Sequence, residues 1–336
     1  MALEIYTDKL NNTTAADNNK IAKSADLKKR ELFDRFIQFI DVKPQSAISY
    51  YKAIKQFFKY LDENGIINPT RADVVKYRDF LRENYKPTTV QSYIVALRLF
   101  FKWLYNEGIV TANIAENIKS ANVDRAHKKD YLTTDQISHV LGIIDQTTVQ
   151  GLRDYALIFL MVTCGLRTIE VIRANVEDLR VVGDNIALYV QGKGQDEKAD
   201  FVIVPTEVEK SIRMYHRAAA QNKEQGQGSL PAGGNPLFMS FSNKNSGERL
   251  TTRSIRRIIK ERFLAAGYDS ERLTAHSLRH TAVTLSILGG ANLDEAQQFA
   301  RHANISTTQI YAHHLDKSAN RCAGIIFSSI SGATSK

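Results

Sequence analysis

Hydrophobic positions in the first third of the chain repeat at the spacing of amphipathic helices. The segments LKKRELFDRFIQFI (residues 27–40) and SAISYYKAIKQFFKYL (residues 46–61) each place apolar side chains on one helical face. Two further helical stretches extend the pattern to about residue 107. Four helices predict a small all-α domain over residues 26–119. The segment before it, residues 1–25, is polar and is expected to be flexible.

Helix-capping residues support this division into helices. The third helix is expected to begin after Pro69, with Thr70 and Asp73 in capping positions. The fourth is expected to begin with a capping box of Thr88 and Gln91. Each pairing would satisfy backbone N–H groups that the first helical turn leaves without partners.

The rest of the chain changes from an all-helical to a mixed pattern. Residues 120–131 are polar and lack apolar periodicity, which indicates a linker. A second domain then begins with a capping box of Thr133 and Gln136. It is mostly helical, but residues 185–190 and 201–205 are β-rich runs joined by a turn-prone segment.

The predicted fold is therefore mainly α with a small β-sheet or hairpin. It consists of a helical N-terminal domain and a mixed α/β second domain over residues 132–315. A tail over residues 316–336 contains an apolar cluster, formed by Ile325, Ile326, Phe327 and Ile330. Such a cluster needs a surface to bury it.

Composition limits the class of protein. The longest apolar run, Tyr155–Leu166, has twelve residues, fewer than the roughly 20 that a membrane span needs. The N-terminus lacks a secretory pattern, and Cys164 and Cys322 lack metal-ligand spacing, so we expect a cytosolic protein with reduced thiols. The net charge of +9 favours a polyanionic partner, nucleic acid first and an anionic membrane surface second.

A set of residues in the second domain suggests chemistry on a phosphodiester. The set consists of Arg167, Lys193, His276, Arg279, His302 and Tyr311. Each residue alone has an ordinary structural explanation, such as packing for a tyrosine or solvation for a hairpin lysine. Together they supply what an attacking phenol lacks.

The chemical need follows from the pKa of tyrosine. At a pKa near 10, only about one phenol in a thousand is ionised at neutral pH. Two guanidiniums would stabilise the negative charge of the transition state, a lysine would protonate the leaving oxygen, and histidines would hold or relay protons. Exchange of one phosphoester for another conserves bond energy. We therefore expect neither a metal nor a cofactor.

Four motifs in this domain resemble the tyrosine recombinases, or phage-type integrases: TCGLRTIEV, GKG, HSLRHT and ARHANISTTQIYAH. The resemblance covers roughly residues 27–315. It implies that the six residues of the set form the active site. It also implies that the helical N-terminal block is a SAM-like core-binding domain that clamps the opposite face of DNA.

Two details depart from the family pattern or leave an alternative. The family commonly has Leu-Gly before its second histidine, where this chain has Ala300 and Arg301. Arg301 is expected either to contact a phosphate or to shift His302. Lys198 lies in the same hairpin region as Lys193 and is the alternative lysine.

The expected partner is double-stranded DNA with specific core sites. Candidate DNA-binding residues are Lys52, Lys55, Lys86, Thr88 and Arg98 in the first domain, and Arg253, Arg256, Arg257 and Lys260 in the second. The resemblance further implies a homo-oligomer, a dimer on one site and a tetramer in the synapse, with the tail docked on a neighbouring subunit.

The expected function is site-specific recombination for a mobile element, by integration or excision. The alternatives are a Xer-like dimer resolvase, a type IB topoisomerase and a non-catalytic DNA-binding protein. Only about 25 polar residues precede the first helix, so no extra domain for arm-type sites is expected. The sequence leaves the target site open, and also whether Tyr311 acts in its own subunit or in a neighbour.

Overall fold

The computed structural model describes residues 31–122, 130–192, 197–224 and 234–312. The side chains of residues 222–224 and 310–312 lie outside this description. The chain divides into two compact units, Met1–Arg125 and Ala126–Lys336. Most described residues are helical, and a small antiparallel sheet lies in the second unit, which confirms the predicted fold class.

The first unit is helical throughout its described core. Its helices are α1 (residues 31–40), α2 (Pro44–Glu63), α3 (Arg71–Asn84) and α4 (Pro87–Asn106). Aromatic rings fill the space between them. Phe57 contacts Tyr77 at 5.0 Å between ring centroids, and Phe36 contacts Phe100 at 5.2 Å. Edge-to-face packing of this kind adds to the free energy gained by burying the rings.

The helix starts of the first unit test the predicted caps. Thr70 and Asp73 form the expected capping box of α3. The capping box predicted for Thr88 and Gln91 is wrong, because α4 already begins at Pro87, after Lys86. Proline suits this position since its fixed φ matches the helix and its missing N–H has no partner to lose.

The second unit combines eight described α-helices with three strands. The helices are α5 (Thr134–Gly142), α6 (Val149–Thr163), α7 (Thr168–Arg173), α8 (Thr206–Glu224), α9 (Thr252–Ala265), α10 (Ala275–Leu288), α11 (Leu293–Ala300) and α12 (Ile305–Ala312). Thr133 and Gln136 form the predicted capping box of α5. A short 3-10 helix, Val176–Asp178, leads into the sheet.

The sheet has the strand order β1-β2-β3, with β1 at Leu179–Val182, β2 at Asn185–Val190 and β3 at Asp200–Val204. Both strand pairs are antiparallel, and Leu188 is paired with Leu179 on one side and with Val202 on the other. The sequence pattern identified β2 and β3 and missed β1. Leu188, Val190, Val202 and Val204 join the hydrophobic core.

Helix α6 forms the centre of that core. Ala156, Leu157, Ile158, Leu160 and Met161 are all fully buried, as predicted for a helix that is apolar on every side. The helix ends at Thr163, four residues before Arg167. Arg167 occupies the N-cap position of α7. Within the described residues, no helix has the length and apolar character needed to cross a membrane.

Candidate active site

The turn between α6 and α7 is the structural base of the candidate site. Gly165 adopts φ +60°, which costs glycine little and other residues more. A Cβ atom here would lie 2.9 Å from the ring of Phe299, so the close approach of α11 also requires glycine. The carbonyl of Gly165 accepts a hydrogen bond from Arg279 Nη1 at 2.5 Å. One glycine therefore joins the turn, α10 and α11.

Arg167 is held in place by a buried carboxylate. Its Nη1 donates to Glu170 Oε1 at 2.8 Å, and its backbone N–H donates to Glu170 Oε2 at 2.8 Å. Its Nη2 donates to the carbonyl of Arg301 at 2.9 Å. The side chain of Glu170 is 0% exposed, whereas that of Arg167 is 26% exposed. The Arg167 guanidinium is thus held by buried Glu170 and remains partly exposed to solvent.

Helix α10 carries His276 in its first turn and Arg279 one turn later. Arg279 is only 1% exposed, and its Nη1 and Nη2 donate to the carbonyls of Gly165 and Ala300. His276 is exposed, and its ring contacts that of His280 at 4.5 Å between centroids. The spacing of three residues places both side chains near one face of the helix.

His302 follows α11 and is held by hydrogen bonds at both its side chain and its backbone. Its Nδ1 lies 3.0 Å from Thr308 Oγ1, and its carbonyl accepts from Gln297 Nε2 at 3.0 Å. The pKa of His302 falls to about 4, first because burial disfavours the imidazolium. The charges of Arg279, Arg167, His276 and Arg301 lower this pKa further. Four of the six predicted residues, Arg167, His276, Arg279 and His302, therefore share one electrostatic environment.

Tyr311 lies in the last turn of α12, three residues after Thr308. Its side chain is outside the described part of the structure. The helix begins at Ile305, and Asn304 Oδ1 accepts from the backbone N–H of Ser306 at 2.8 Å. Asn304 therefore takes the capping role at the start of this helix.

Lys193 lies outside the described residues, but residues on either side of it, up to Gly192 and from Glu197 onwards, are described. Before it, the carbonyl of Gly192 accepts from Arg173 Nη1 at 3.0 Å. After it, Lys198 forms an ion pair with the buried carboxylate of Asp178. Because Lys198 already neutralises a buried acid, it is a poor candidate for a mobile proton donor.

A basic groove of about 1200 Å³ adjoins the site in the second unit. Its lining includes the exposed N-terminal part of α9 and His276 at the start of α10. Cationic residues of this lining are Arg153, Lys244, Arg253, Arg256, Arg257 and Lys260. All four candidate DNA-binding residues predicted in this unit fall here. Sequence reasoning missed Lys244, which lies in a polar loop without helical periodicity. Arg153 also lines the groove, but it is 3% exposed and already paired with Asp154 at 2.6 Å.

In the first unit, Lys52, Lys55, Lys86 and Thr88 are exposed, and Arg98 is half-buried. Arg98 lines a smaller pocket together with Lys102 and Tyr105. Within the described ranges, no group of three or more His, Cys, Asp or Glu side chains is arranged to bind a metal ion.

Family comparisons agree with the motifs. The model of the "Phage integrase family" matches residues 130–318, more than half of the chain, and that of the "Phage integrase, N-terminal SAM-like domain" matches residues 33–108. Tyrosine recombinase XerC of Thermodesulfovibrio yellowstonii is 32% identical over 198 residues, which cover 58% of this chain and 61% of that protein. XerD of Bifidobacterium longum is 32% identical over 190 residues, which cover 55% and 58%. The chain spans about half to three-fifths of the length of the curated relatives it matches.

Solved structures show the same fold. A XerH recombinase bound to palindromic difH substrate superposes with a TM-score of 0.69 at 19% identity, covering 95% of this chain and 92% of that one. The Tn1549 transposon integrase in complex with transposon right end DNA gives a TM-score of 0.65 at 17% identity, covering 87% and 97%. With a family model matching more than half of its residues, the chain belongs to the phage integrase, or tyrosine recombinase, family.

Proposed function

We propose that the protein is a site-specific DNA recombinase that cleaves and rejoins strands through a covalent bond between Tyr311 and a 3′ phosphate. The main support is the convergence of Arg167, Arg279 and His302 at the α6–α7 turn. These side chains come from three parts of the sequence and are each fixed by backbone or buried partners. The preorganised guanidiniums of Arg167 and Arg279 can stabilise charge that develops on a phosphate in the transition state.

In the proposed reaction, the Tyr311 oxygen attacks phosphorus while the bond from phosphorus to the 5′ oxygen breaks. Arg167 and Arg279 stabilise the non-bridging oxygens, since guanidiniums stay charged and bind phosphate through paired donors. His276 and His302 accept and relay the phenolic proton, and Lys193 delivers a proton to the leaving 5′ oxygen. Attack by a 5′ hydroxyl from another strand reverses these steps and joins new partners.

A neutral His302 fits the accepting role. Its pKa of about 4 in the protein alone leaves the imidazole unprotonated at neutral pH. Thr308 holds Nδ1, which fixes the orientation of the ring. A phosphate bound between the arginines would offset their charge and raise the proton affinity of the ring when it is needed.

DNA binding is proposed for the basic groove and for the exposed basic residues of α2 and α4. In the groove, Arg253 and Arg256 are exposed, and Arg257 forms a solvent-exposed ion pair with Glu261 at 3.6 Å. Exposed ion pairs of this kind contribute little to stability, so these side chains are available to phosphates at low cost. Lys260 is more constrained, because it donates to the carbonyl of Ser270 at 3.0 Å.

The proposed biological role is integration or excision of a mobile element, carried out by a dimer on each site and a tetramer in the synapse. Dimer resolution is the second candidate, favoured by the relatives named XerC and XerD. The docking role proposed for residues 316–336 concerns a segment outside the described residues. If removal of residues 322–336 left cooperative assembly on DNA intact, that role would be excluded.

The deciding experiment is covalent trapping on a suicide substrate. Duplexes bound by the protein are first selected from a random library, and nicked versions of the selected site are then incubated with the protein. Wild type is expected to form an adduct that survives denaturing electrophoresis. The Tyr311→Phe variant should form none, while Tyr131→Phe, which alters an exposed tyrosine of the same unit, should react normally.

Covalent trapping and a supercoil-relaxation assay together separate the alternatives. An adduct that persists in Tyr311→Phe would overturn the assignment of the nucleophile. Relaxation of supercoiled DNA that lacks the selected site would favour a type IB topoisomerase. Tight binding without any adduct from the wild type would favour a non-catalytic DNA-binding protein.

A further inference from the structure

Arg301 has a backbone conformation that is unusual for its residue type. It follows the last residue of α11 with φ +50° and ψ +48°, in the left-handed region. Glycine is the common residue at this position after a helix, because any Cβ costs roughly 1 kcal/mol there. An arginine at such a site needs an interaction that offsets the strain.

The Arg301 side chain provides several such interactions. Although long and charged, the side chain is only 10% exposed. Its Nη2 donates to Glu170 Oε2 at 2.8 Å, and its Nη1 donates to the carbonyl of Phe299 at 3.0 Å. Its Nε lies 3.9 Å from a carboxylate oxygen of Asp200, which is 45% exposed. The guanidinium therefore faces the protein rather than the surface.

These contacts form a closed ring of hydrogen bonds among Arg301, Glu170 and Arg167. Glu170 uses one carboxylate oxygen for the Arg167 guanidinium and the other for Arg301. Arg167 then returns a hydrogen bond to the carbonyl of Arg301 at 2.9 Å. The ring ties the N-terminus of α7 to the end of α11, two segments more than 130 residues apart in sequence.

We propose that Arg301 is a positioning residue that acts through Glu170 to hold the Arg167 guanidinium in place and keep its positive charge available to the phosphate. This rests on the proposed role of Arg167 in strand cleavage. Of the two expectations from sequence, a direct phosphate contact is disfavoured, since the Arg301 guanidinium is paired with the buried carboxylate of Glu170, whereas that of Arg279 donates to neutral backbone carbonyls.

The charge balance gives the physical reason. Alone with Glu170, Arg167 would form a neutral pair, and the carboxylate would cancel much of its attraction for phosphate. Arg301 offsets that carboxylate, so the trio carries a net positive charge. Burial alone would raise the pKa of Glu170, but the charge of Arg301 and the hydrogen bonds from Arg167 outweigh it and lower the pKa. Asp200, at the edge of the cluster, is screened by solvent.

The test is a double-mutant cycle on a suicide substrate, using Arg301→Gly, Glu170→Gln and the double variant. Arg301→Gly is expected to slow single-turnover cleavage about tenfold or more while the DNA dissociation constant changes less than about twofold. In the Glu170→Gln background, the same substitution should change the rate less than about threefold. An equal loss in both backgrounds would overturn the proposal.

A second variant, Arg301→Ala, separates the role of the side chain from that of the backbone. Arg301→Ala keeps the backbone strain that glycine relieves, so it should melt at a lower temperature than Arg301→Gly but cleave equally slowly. An Arg301→Gly variant that cleaves normally, or that binds DNA more weakly with a smaller salt dependence, would contradict the positioning role.

Hydrogen exchange of the Arg167 amide separates this proposal from the proposed function. That N–H donates to Glu170 Oε2 at 2.8 Å, so Arg301→Gly should raise its exchange rate whether or not the protein cleaves DNA. Unchanged exchange would overturn the coupling. Absence of a Tyr311-dependent adduct in wild type would instead overturn the proposed function alone.

Discussion

His302 is kept neutral among cations, and this sets a pH dependence at the level of a single residue. An imidazole in an unfolded chain has a pKa near 6.5, whereas that of His302 in the folded protein is about 4. Between these values the unfolded chain takes up a proton that the folded site does not. The free energy of unfolding therefore falls as the pH decreases from about 6.5 towards about 4.

This dependence predicts a difference between wild type and His302→Asn. The variant lacks the titrating ring, so it should lose less stability than wild type between pH 7 and pH 5, by about 1 kcal/mol after a discount for the ring's partial exposure. Urea unfolding at the two pH values measures the difference. Parallel pH profiles for the two proteins would show that His302 titrates as it does in the unfolded chain.

Thr308 is the second residue whose role the geometry makes testable. Its side chain is fully buried, and its Oγ1 lies 3.0 Å from His302 Nδ1. Thr308→Val keeps the shape but removes the hydrogen bond, which should cost about 1 kcal/mol of stability and slow cleavage with little effect on DNA affinity. The adjacent Thr307 is exposed, so Thr307→Val is the matched control and should react like wild type. Equal rates for both variants would remove Thr308 from the site.

Residue types in the motifs were enough to predict the candidate site residues. The contacts that hold these residues in place could not be predicted. Arg167, His276, Arg279 and His302 were identified because their chemistry and order fit one reaction. The bridge from Glu170 to Arg301 joins residues 131 positions apart, and no local pattern indicates it. The left-handed backbone conformation of Arg301 could not be predicted either, because an arginine does not indicate a positive φ.

At the level of elements, the predictions from sequence were correct where an element depends on interactions between residues close in sequence. The capping boxes of α3 and α5 were predicted correctly, since they depend on residues three positions apart. The start of α4 was misplaced because Pro87 competes with Thr88 for the same role. Strand β1 was missed because four residues carry little periodicity, and its pairing with β2 alone defines it as a strand.

The α6–α7 turn gives the prediction at this scale. Gly165→Ala combines the strain of a positive φ with a clash against Phe299, where the new Cβ would lie 2.9 Å from the ring. We expect a stability loss of about 2–4 kcal/mol and slower cleavage, because the Gly165 carbonyl also orients Arg279.

A second glycine isolates the backbone contribution to this effect. Gly183 has a similar φ of +58°, but a Cβ added there would meet no described neighbour within 4 Å. Gly183→Ala should therefore cost only about 1 kcal/mol. Thermal unfolding and single-turnover cleavage measure both variants. Equal losses of stability for the two would show that α11 adapts to a larger residue at the turn.

At the level of the whole molecule, net charge indicates a class of partner but not a binding surface. A surplus of nine positive charges over 336 residues indicates a polyanion and leaves its location open. Folding brings cations from α6, α9 and the loop containing Lys244 into one groove beside His276. Periodicity could suggest the exposed face of α9, but only tertiary structure assembles the remaining side chains around it.

The groove makes a quantitative prediction about the salt dependence of DNA binding. Each phosphate contact adds about 0.9 to the slope of the logarithm of affinity against the logarithm of salt concentration. Arg256→Gln should therefore weaken binding at low salt and reduce that slope by about 1. Lys210 is also exposed, but it lies on α8, is paired with Glu207 at 2.8 Å and does not line the groove. Lys210→Gln should leave the slope unchanged, although both variants lose one positive charge. An equal decrease in both slopes would mean that DNA senses only the overall charge, and the groove would lose its proposed role as the contact surface.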